Sequence, residues 1–335
     1  MTENTQSFLN SLWNLTTDLC HQAQIPLYRE RNDPKVFTYP QKIFLYIYKI
    51  KRKLTLRELI ADLKESNVLR YLGLNRIPNF STLSYFIKTL PERFCALIFN
   101  ALDTLLPKST KVIIDSTGFE CVHPSHYYCY RRDKPVDGFI TLFALVDQEH
   151  GHFRSLEVHD VKHHDSTMLK PLVEALSDVK IEVLYGDRGF DSEENYRFLL
   201  EEKDCLPLIL QKNMLKPSEK CKGWHRLEIR EVFDYGEYLK RNKIEAIFSA
   251  LKRKFGSWLA TKNVNSQKKE LYLKVILFNM EKKVRLVFIF FFSKITFQQS
   301  LIVYYFGLFI NFFFILSPLS SYKNFTAIFI KGERL

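Results

Sequence analysis

The spacing of apolar and polar positions divides the chain into a helical first part, a mixed middle and an apolar end. Over the first hundred residues the pattern is mostly helical. Residues 37–53 predict an apolar and basic helix, and Thr55 ahead of Leu56, Glu58, Leu59 and Leu63 predicts a second with a hydroxyl cap. Residues 73–79 read as a turn, after which Ser81 or Thr82 is expected to cap a helix running toward Leu90. Two short helices about such a turn predict either a helix-turn-helix-like module that presents residues 81–88 to DNA, or a small bundle serving as scaffold or dimer contact.

From Lys111 the pattern changes. Val112, Ile113 and Ile114 form a short apolar run ending in Asp115, which predicts a buried strand with a carboxylate at or near its end. Residues 139–146 predict a second strand, 147–151 a turn and 153–158 a third strand. Asp165 and Ser166 offer N-caps for a helix through Leu176. Ile181, Val183 and Leu184 predict a fourth strand, followed at once by Gly186, Asp187, Arg188 and Gly189; a helix over 192–202 and a strand over 206–210 come next. This order of elements predicts an α/β layout with a mixed sheet.

Residues 238–252 predict an amphipathic helix. At about 100° per residue, Tyr238, Arg241, Glu245 and Lys252 fall within roughly 60° of one another, beside an apolar stripe of Ile244, Ile247, Phe248, Leu251 and Phe255. Such a helix buries the stripe and holds a carboxylate, two cations and a phenol along its edge. An ordinary surface helix would show the same pattern. Its neighbours upstream are what give it chemical interest.

Composition sharpens the picture. A net charge of +12 on 335 residues argues for a polyanionic partner, and Lys240, Arg241, Lys243, Lys252, Arg253 and Lys254 crowd around Glu245. Six cysteines without a CxxC pair, and no opening secretory signal, predict a reducing cytoplasm. A carboxylate at a strand terminus is costly to bury unless it is paired or ligates a cation, so Asp115 and Asp187 demand a partner. Hard oxygen ligands suit Mg²⁺ or Mn²⁺, and two such ions about 4 Å apart can activate an attacking oxygen and stabilise a leaving one. Asp115, Asp187 and Glu245, from two strands and a helix, fit that task.

The spacing of Tyr238, Arg241, Glu245 and Lys252 resembles the Tyr-Arg-Glu-Lys signature of bacterial and archaeal insertion-sequence transposases. Asp115 in Val-Ile-Ile-Asp-Ser-Thr-Gly and Asp187 in Tyr-Gly-Asp-Arg-Gly-Phe-Asp match the two aspartates of those DDE enzymes, and Glu245 their glutamate. The resemblance covers residues 111–280, and more weakly 55–90. It implies an RNase H-like mixed sheet flanked by helices over 106–283, preceded by a helical DNA-binding or dimerisation region over 1–105. It further implies two Mg²⁺ ions, for which Mn²⁺ can substitute, held by Asp115, Asp187 and Glu245 for DNA strand cleavage and strand transfer. Arg241 and Lys252 are expected on DNA phosphates, with Lys243 and Arg188 as further contacts. Tyr238 is expected either against a sugar or phosphate, or in the core. The partners so implied are double-stranded DNA, as element ends and target, and a second copy of the chain in the DNA complex, on the nucleoid in the cytoplasm. A DNA-binding remnant without catalysis is the alternative.

Other clusters carry weaker expectations. Cys121, His123, His126 and Cys129 are zinc-competent side chains at unusual spacing, read as a polar loop. His159, His163, His164 and Asp165 read as a solvated loop leading to a helix cap. Arg188 could instead pair with Asp191 and Glu193, and Lys212, Lys216, Lys220 and Lys222 mark a basic loop suited to a DNA backbone or to solvent. Residues 284–335 differ from everything before them: 295–322 hold no charged residue. The length permits a membrane span over 300–316. Because a transposase must reach chromosomal DNA, and Phe, Ile, Lys, Asn and Tyr have AT-rich codons, the tail is expected to be readthrough or frameshifted sequence and the protein not to be membrane-bound.

Overall fold

Thr38 and Thr55 start two helices by one device. Each hydroxyl accepts the amide three residues on, while the side chain there, Gln41 or Glu58, accepts the amide of the threonine. In the computed structural model, which describes residues 3–29, 35–121, 139–161, 163–176, 180–212, 214 and 223–286, these are the second and third of six helices. The six are α1 (Glu3–Gln22), α2 (Tyr39–Arg52), α3 (Leu56–Glu65), α4 (Val68–Tyr71), α5 (Phe80–Thr89) and α6 (Glu92–Thr104). Asn79 caps α5 in place of Ser81 or Thr82: its Oδ1 accepts both the amide and the hydroxyl of Ser81, at 3.0 Å each. α3 packs against α5, which turns Ser81, Tyr85 and Lys88 outward.

A six-stranded mixed sheet follows, built from β1 (Lys111–Cys121), β2 (Phe139–Asp147), β3 (Phe153–His159), β4 (Val183–Gly186), β5 (Leu206–Ile209) and the short β6 (Trp258–Leu259). The order is β3-β2-β1-β4-β5, with β6 paired to β1. β1, β2 and β3 run antiparallel, whereas β4 and β5 run parallel to β1. The helices of this part are α7 (Asp165–Glu174), α8 (Glu193–Arg197, continued as a wider turn through Glu202), α9 (Trp224–Val232), α10 (Tyr235–Tyr238), α11 (Lys243–Phe255) and α12 over 264–286. One sheet face packs Val112, Ile114, Phe143 and Leu145 against Leu169, Leu172 and Val173 of α7 and Tyr196 of α8. On the other, Phe153 stacks on Phe248 of α11 and meets Phe278 of α12 edge-on. The expected RNase H-like arrangement, a mixed sheet flanked by helices after a helical region, is the one found.

Two elements depart from expectation. β1 does not stop at Asp115 but runs six residues further to Cys121, because β2 pairs with Val112–Glu120 while β4 pairs only with Lys111–Ile114. The helix expected over 238–252 is interrupted. Asp234 Oδ1 accepts the amides of Gly236 and Glu237 and so starts α10 early, and a 3₁₀ turn at Leu239–Asn242 separates it from α11.

α12 was not foreseen. It is buried over most of its length although it carries Lys269, Glu270, Lys274, Asn279 and Glu281. Each of these side chains has a partner on another element. Lys269 donates to the carbonyls of Ile87 and Lys88, Glu270 accepts the amides of Ala260 and Thr261, and Glu281 pairs with Lys51 and Lys254. Lys269 and Glu281 reach the N-terminal helices α5 and α2, while Lys274, Asn279 and Glu281 reach β6, β3 and α11, so α12 binds the two parts together.

Lys274 gives this helix a measurable signature. It donates to the carbonyls of Gly256 (3.0 Å) and Trp258 (2.6 Å), and burial pushes its pKa from 10.5 down to about 8. The unfolded chain therefore holds the extra proton between these two values, and this group's contribution to stability rises with pH across that window. Buried thiols such as Cys20, Cys95 and Cys205 have raised pKa values and act oppositely, in wild type and variant alike. The difference in urea-unfolding free energy between wild type and Lys274→Met should accordingly shift toward wild type by on the order of 1–3 kcal/mol from pH 8 to pH 10. A pH-independent difference would show that the buried amine does not titrate there.

By its internal contacts the chain divides into Met1–Val284, which holds the elements above, and Arg285–Leu335, of which only Arg285 and Leu286 are among the described residues. The membrane span considered over 300–316 lies outside the described residues. Among those described, no helix is long and apolar enough to cross a membrane.

Candidate active site

The site lies where β1 loses its strand partner on one side. Ile114 pairs with Gly186, the last residue of β4, and Asp115 and Asp187 each stand one step beyond that pair. Gly186 makes the close approach: a Cβ there would stand 3.0 Å from Ile114 Cγ2 and 3.1 Å from Ile209 Cγ1. Among the described residues, β1 then has no strand on this edge until β6 joins at Glu120 and Cys121. Asp115 thus sits in the middle of its strand yet at an opening in the sheet.

Arg241 draws the acidic residues together. One of its terminal nitrogens lies 3.2 Å from Asp115 Oδ2 and the other 2.9 Å from Glu245 Oε1. The turn before α11 sets this up, since a 3₁₀ turn advances about 120° per residue where an α-helix advances about 100°. Burial opposes the Arg241 charge, but Tyr238, Asp115, Asp187 and Glu245 outweigh it and hold its pKa above the ordinary arginine value. Tyr238 is buried, with its ring against Phe233 and Tyr235, and its own pKa is raised chiefly by burial. Of its two expected places it takes the core, behind the guanidinium.

The Asp115 carboxyl is pushed up to about 6, first by burial and then by Asp187 and Asp165, against the Ser116 amide and Arg241, which lower it. Asp165 is the residue that sequence reasoning misplaced. It is the first residue of α7, whose N-cap is His164, and it makes no side-chain cap for the helix. Its Oδ1 instead lies 3.5 Å from Ser116 Oγ, and burial followed by Asp187 raises its pKa. Buried Asn195 fixes this approach by donating to the carbonyls of Ser166 and Phe190, one on each side of the gap.

The remaining predicted residues stand apart from this cluster. Lys252 reaches the Phe119 ring at 5.2 Å, and burial lowers its pKa. Phe119 is four residues along β1 from Asp115, on the order of 13 Å at the strand rise and on the same face. Lys243 donates to the carbonyls of Gln148 and Glu149. Arg188 is exposed on the turn after Asp187 and pairs with no carboxylate among the described residues. Its two suggested partners are taken: Asp191 pairs with Arg226 at 2.9 Å and Glu193 with His225 at 2.9 Å. Of the zinc-competent group only Cys121 is among the described residues, and the basic loop over 213–223 lies largely outside them.

The donor set is one that hard divalent cations favour: carboxylate oxygens only, one of them buried enough to have lost part of its acidity. As placed, no three Asp, Glu, His or Cys side chains among the described residues close on one point, and the Arg241 guanidinium supplies the positive charge between Asp115 and Glu245. It is the chemistry of the donors, and not their present spacing, that fits such an ion.

A family model described as a transposase DDE domain matches residues 106–280. No curated protein matches the chain. Among solved structures, a cryo-EM structure of the piggyBac transposase synaptic complex with hairpin DNA is similar at 10% identity, with 83% of this chain and 74% of that chain covered and a TM-score of 0.46.

Proposed function

Since the chain belongs to the family of transposases with a DDE domain, we propose that it cleaves double-stranded DNA at the ends of an insertion sequence and joins them to a target, at a site made by Asp115, Asp187 and Glu245. The observation that carries this reading is the Arg241 guanidinium, which pairs with Asp115 of β1 and with Glu245 of α11 while Asp187, one residue past β4, adds to the negative charge around it. Residues separated by up to 130 positions have no structural need to share a half-buried corner.

Asp115, Asp187 and Glu245 would hold two Mg²⁺ ions, or Mn²⁺ in their place, which when bound would lower the pKa of an attacking water or 3′-hydroxyl and offset charge developing on the phosphate. The protein's own contribution is positioning and charge. Arg241 can exchange a carboxylate for a phosphate oxygen, because its planar fork matches either acceptor. Tyr238, packed behind it, limits where the guanidinium can go. Lys252, along the same face of β1, would meet the strand farther from the reacting phosphate. Arg188 is a further proposed contact beside Asp187. Lys243, bound to two carbonyls, supports the turn after β2 and would touch DNA only at its margin. Two copies of the chain, one for each end, are part of the same proposal.

The test uses the intact protein with duplexes made from the DNA that flanks its gene. Nicking at the element's end in Mg²⁺, and none with the metal chelated, is the expected result. End binding without cleavage at any Mg²⁺ or Mn²⁺ concentration would leave only a DNA-binding remnant and overturn the enzymatic reading.

A further inference from the structure

We propose that Asp165 is a fourth carboxylate of this site, a ligand, direct or through one water, of a divalent cation bound by Asp115 and Asp187. The inference rests on the reading of those two residues as cation ligands. Three observations lead to it.

The first is where the side chain goes. A carboxylate in the first turn of a helix ordinarily turns back to accept the helix's own amides. Asp165 instead reaches across to Ser116, next to Asp115, and makes no ion pair among the described residues. It thereby stands beside Asp187, with the Ser116 hydroxyl and the neighbouring His164 as its favourable company.

The second is a space kept for it. A Cβ on Gly189 would lie 2.3 Å from Asp165 Oδ2 and 3.1 Å from its Cγ, so the carboxyl rests directly over the Gly189 backbone. Gly189 is not at positive φ, so it is lack of bulk and not backbone freedom that this position uses. Since Gly189 is two residues after Asp187, that space brings Asp165 alongside Asp187.

The third is the anchoring of both segments by Asn195, which is buried and binds the Ser166 and Phe190 carbonyls at 2.9 and 3.0 Å. The two like-charged segments are held together by neutral hydrogen bonds. A shared cation would turn their mutual repulsion into attraction.

Mn²⁺ binding to the full chain, followed by the EPR signal of the free ion, tests the inference without relying on activity. Asp165→Asn keeps the shape and the bond to Ser116, and should weaken Mn²⁺ binding about 10- to 100-fold without lowering the melting temperature. Gly189→Ala leaves the charge unchanged but displaces the carboxyl, and should weaken binding similarly. In an Asp165→Ala background, where the space is vacated, adding Gly189→Ala should change affinity less than about twofold. Wild-type affinity in Asp165→Asn, alongside loss in Asp115→Asn, would overturn this inference and leave the three-carboxylate site standing. Unchanged affinity in Asp115→Asn would remove the cation reading itself, and this inference with it. A Gly189→Ala penalty that persists without Asp165 would assign the glycine to backbone packing and count against the proposal.

Discussion

Asp115→Asn, Asp187→Asn and Glu245→Gln are each expected to reduce metal-dependent strand cleavage by on the order of 10³-fold or more, while affinity for the element's end stays within about threefold. Each change removes one negative charge and retains nearly the same shape, so the backbone that positions the others should not move. The three substitutions act on the fold differently. Asp115 is mostly buried and held above ordinary carboxylate acidity by that burial, so an amide there removes a destabilising charge and should leave the protein at least as stable. Glu245 is 62% exposed, and its loss frees one arm of Arg241 without touching the core. A drop in cleavage together with unchanged or higher thermal stability would therefore separate chemistry from folding. Wild-type cleavage in any one of the three would refute its assignment.

Arg241 adds a distinction to that series. With no DNA present its guanidinium neutralises the acidic corner, so Arg241→Ala removes both the proposed phosphate contact and the cation that balances Asp115. The carboxylate variants remove charge that Arg241 no longer has to balance.

The aspartates were legible in the sequence because their signal is local. Three apolar β-branched residues before Asp115, and a strand followed by Gly186 before Asp187, place a carboxylate beside a buried strand whatever the rest of the chain does. That they end at the same level of the sheet depends on β4 pairing with β1 from Lys111 to Ile114, and no local pattern specifies such a register. The length of β1 was hidden for a related reason. Ser116, Thr117 and Gly118 lack the apolar side chains that mark a buried strand, yet β2 pairs with all three, and a strand partly open to solvent need not alternate. Asp165 was misread because a carboxylate at a helix start has an ordinary local explanation, while its contact with Ser116 spans 49 positions.

α12 illustrates the opposite failure. Lysines and glutamates at 269, 270, 274 and 281 normally mark a wet face, and here every one is buried and bound to another element. Polarity along a chain indicates a need for partners, and water is only the commonest of them. The interrupted helix before Glu245 follows the same logic. Asp234 captures two amides and starts a separate turn, yet Arg241 still meets Glu245 four residues on across the break.

The largest loss of stability from a single side chain is expected at Asn279. It is fully buried, its Oδ1 accepts the Phe153 amide at 3.0 Å, and its Nδ2 donates to the Phe153 carbonyl at 2.8 Å. Phe153 opens β3 where the β2 register shifts, and the amide side chain serves there as a short piece of neighbouring strand. Asn279→Leu keeps the volume and leaves two buried backbone groups without that partner, at about 1–3 kcal/mol each, or about 2–6 kcal/mol together. Against a total stability of about 5–15 kcal/mol, that is enough to lower the urea midpoint severely. Asn279→Asp should also be harmful, since it keeps the acceptor but faces a carbonyl with a carboxylate. The effect should extend to the active site, because the Phe153 ring stacks on Phe248, three residues after Glu245 on α11. Cleavage by Asn279→Leu measured well below its melting temperature should still fall short of wild type, with end binding less affected. A urea midpoint unchanged from wild type would mean that Phe153 finds other partners, and α12 would then lose its claim to hold the sheet and the glutamate helix in register.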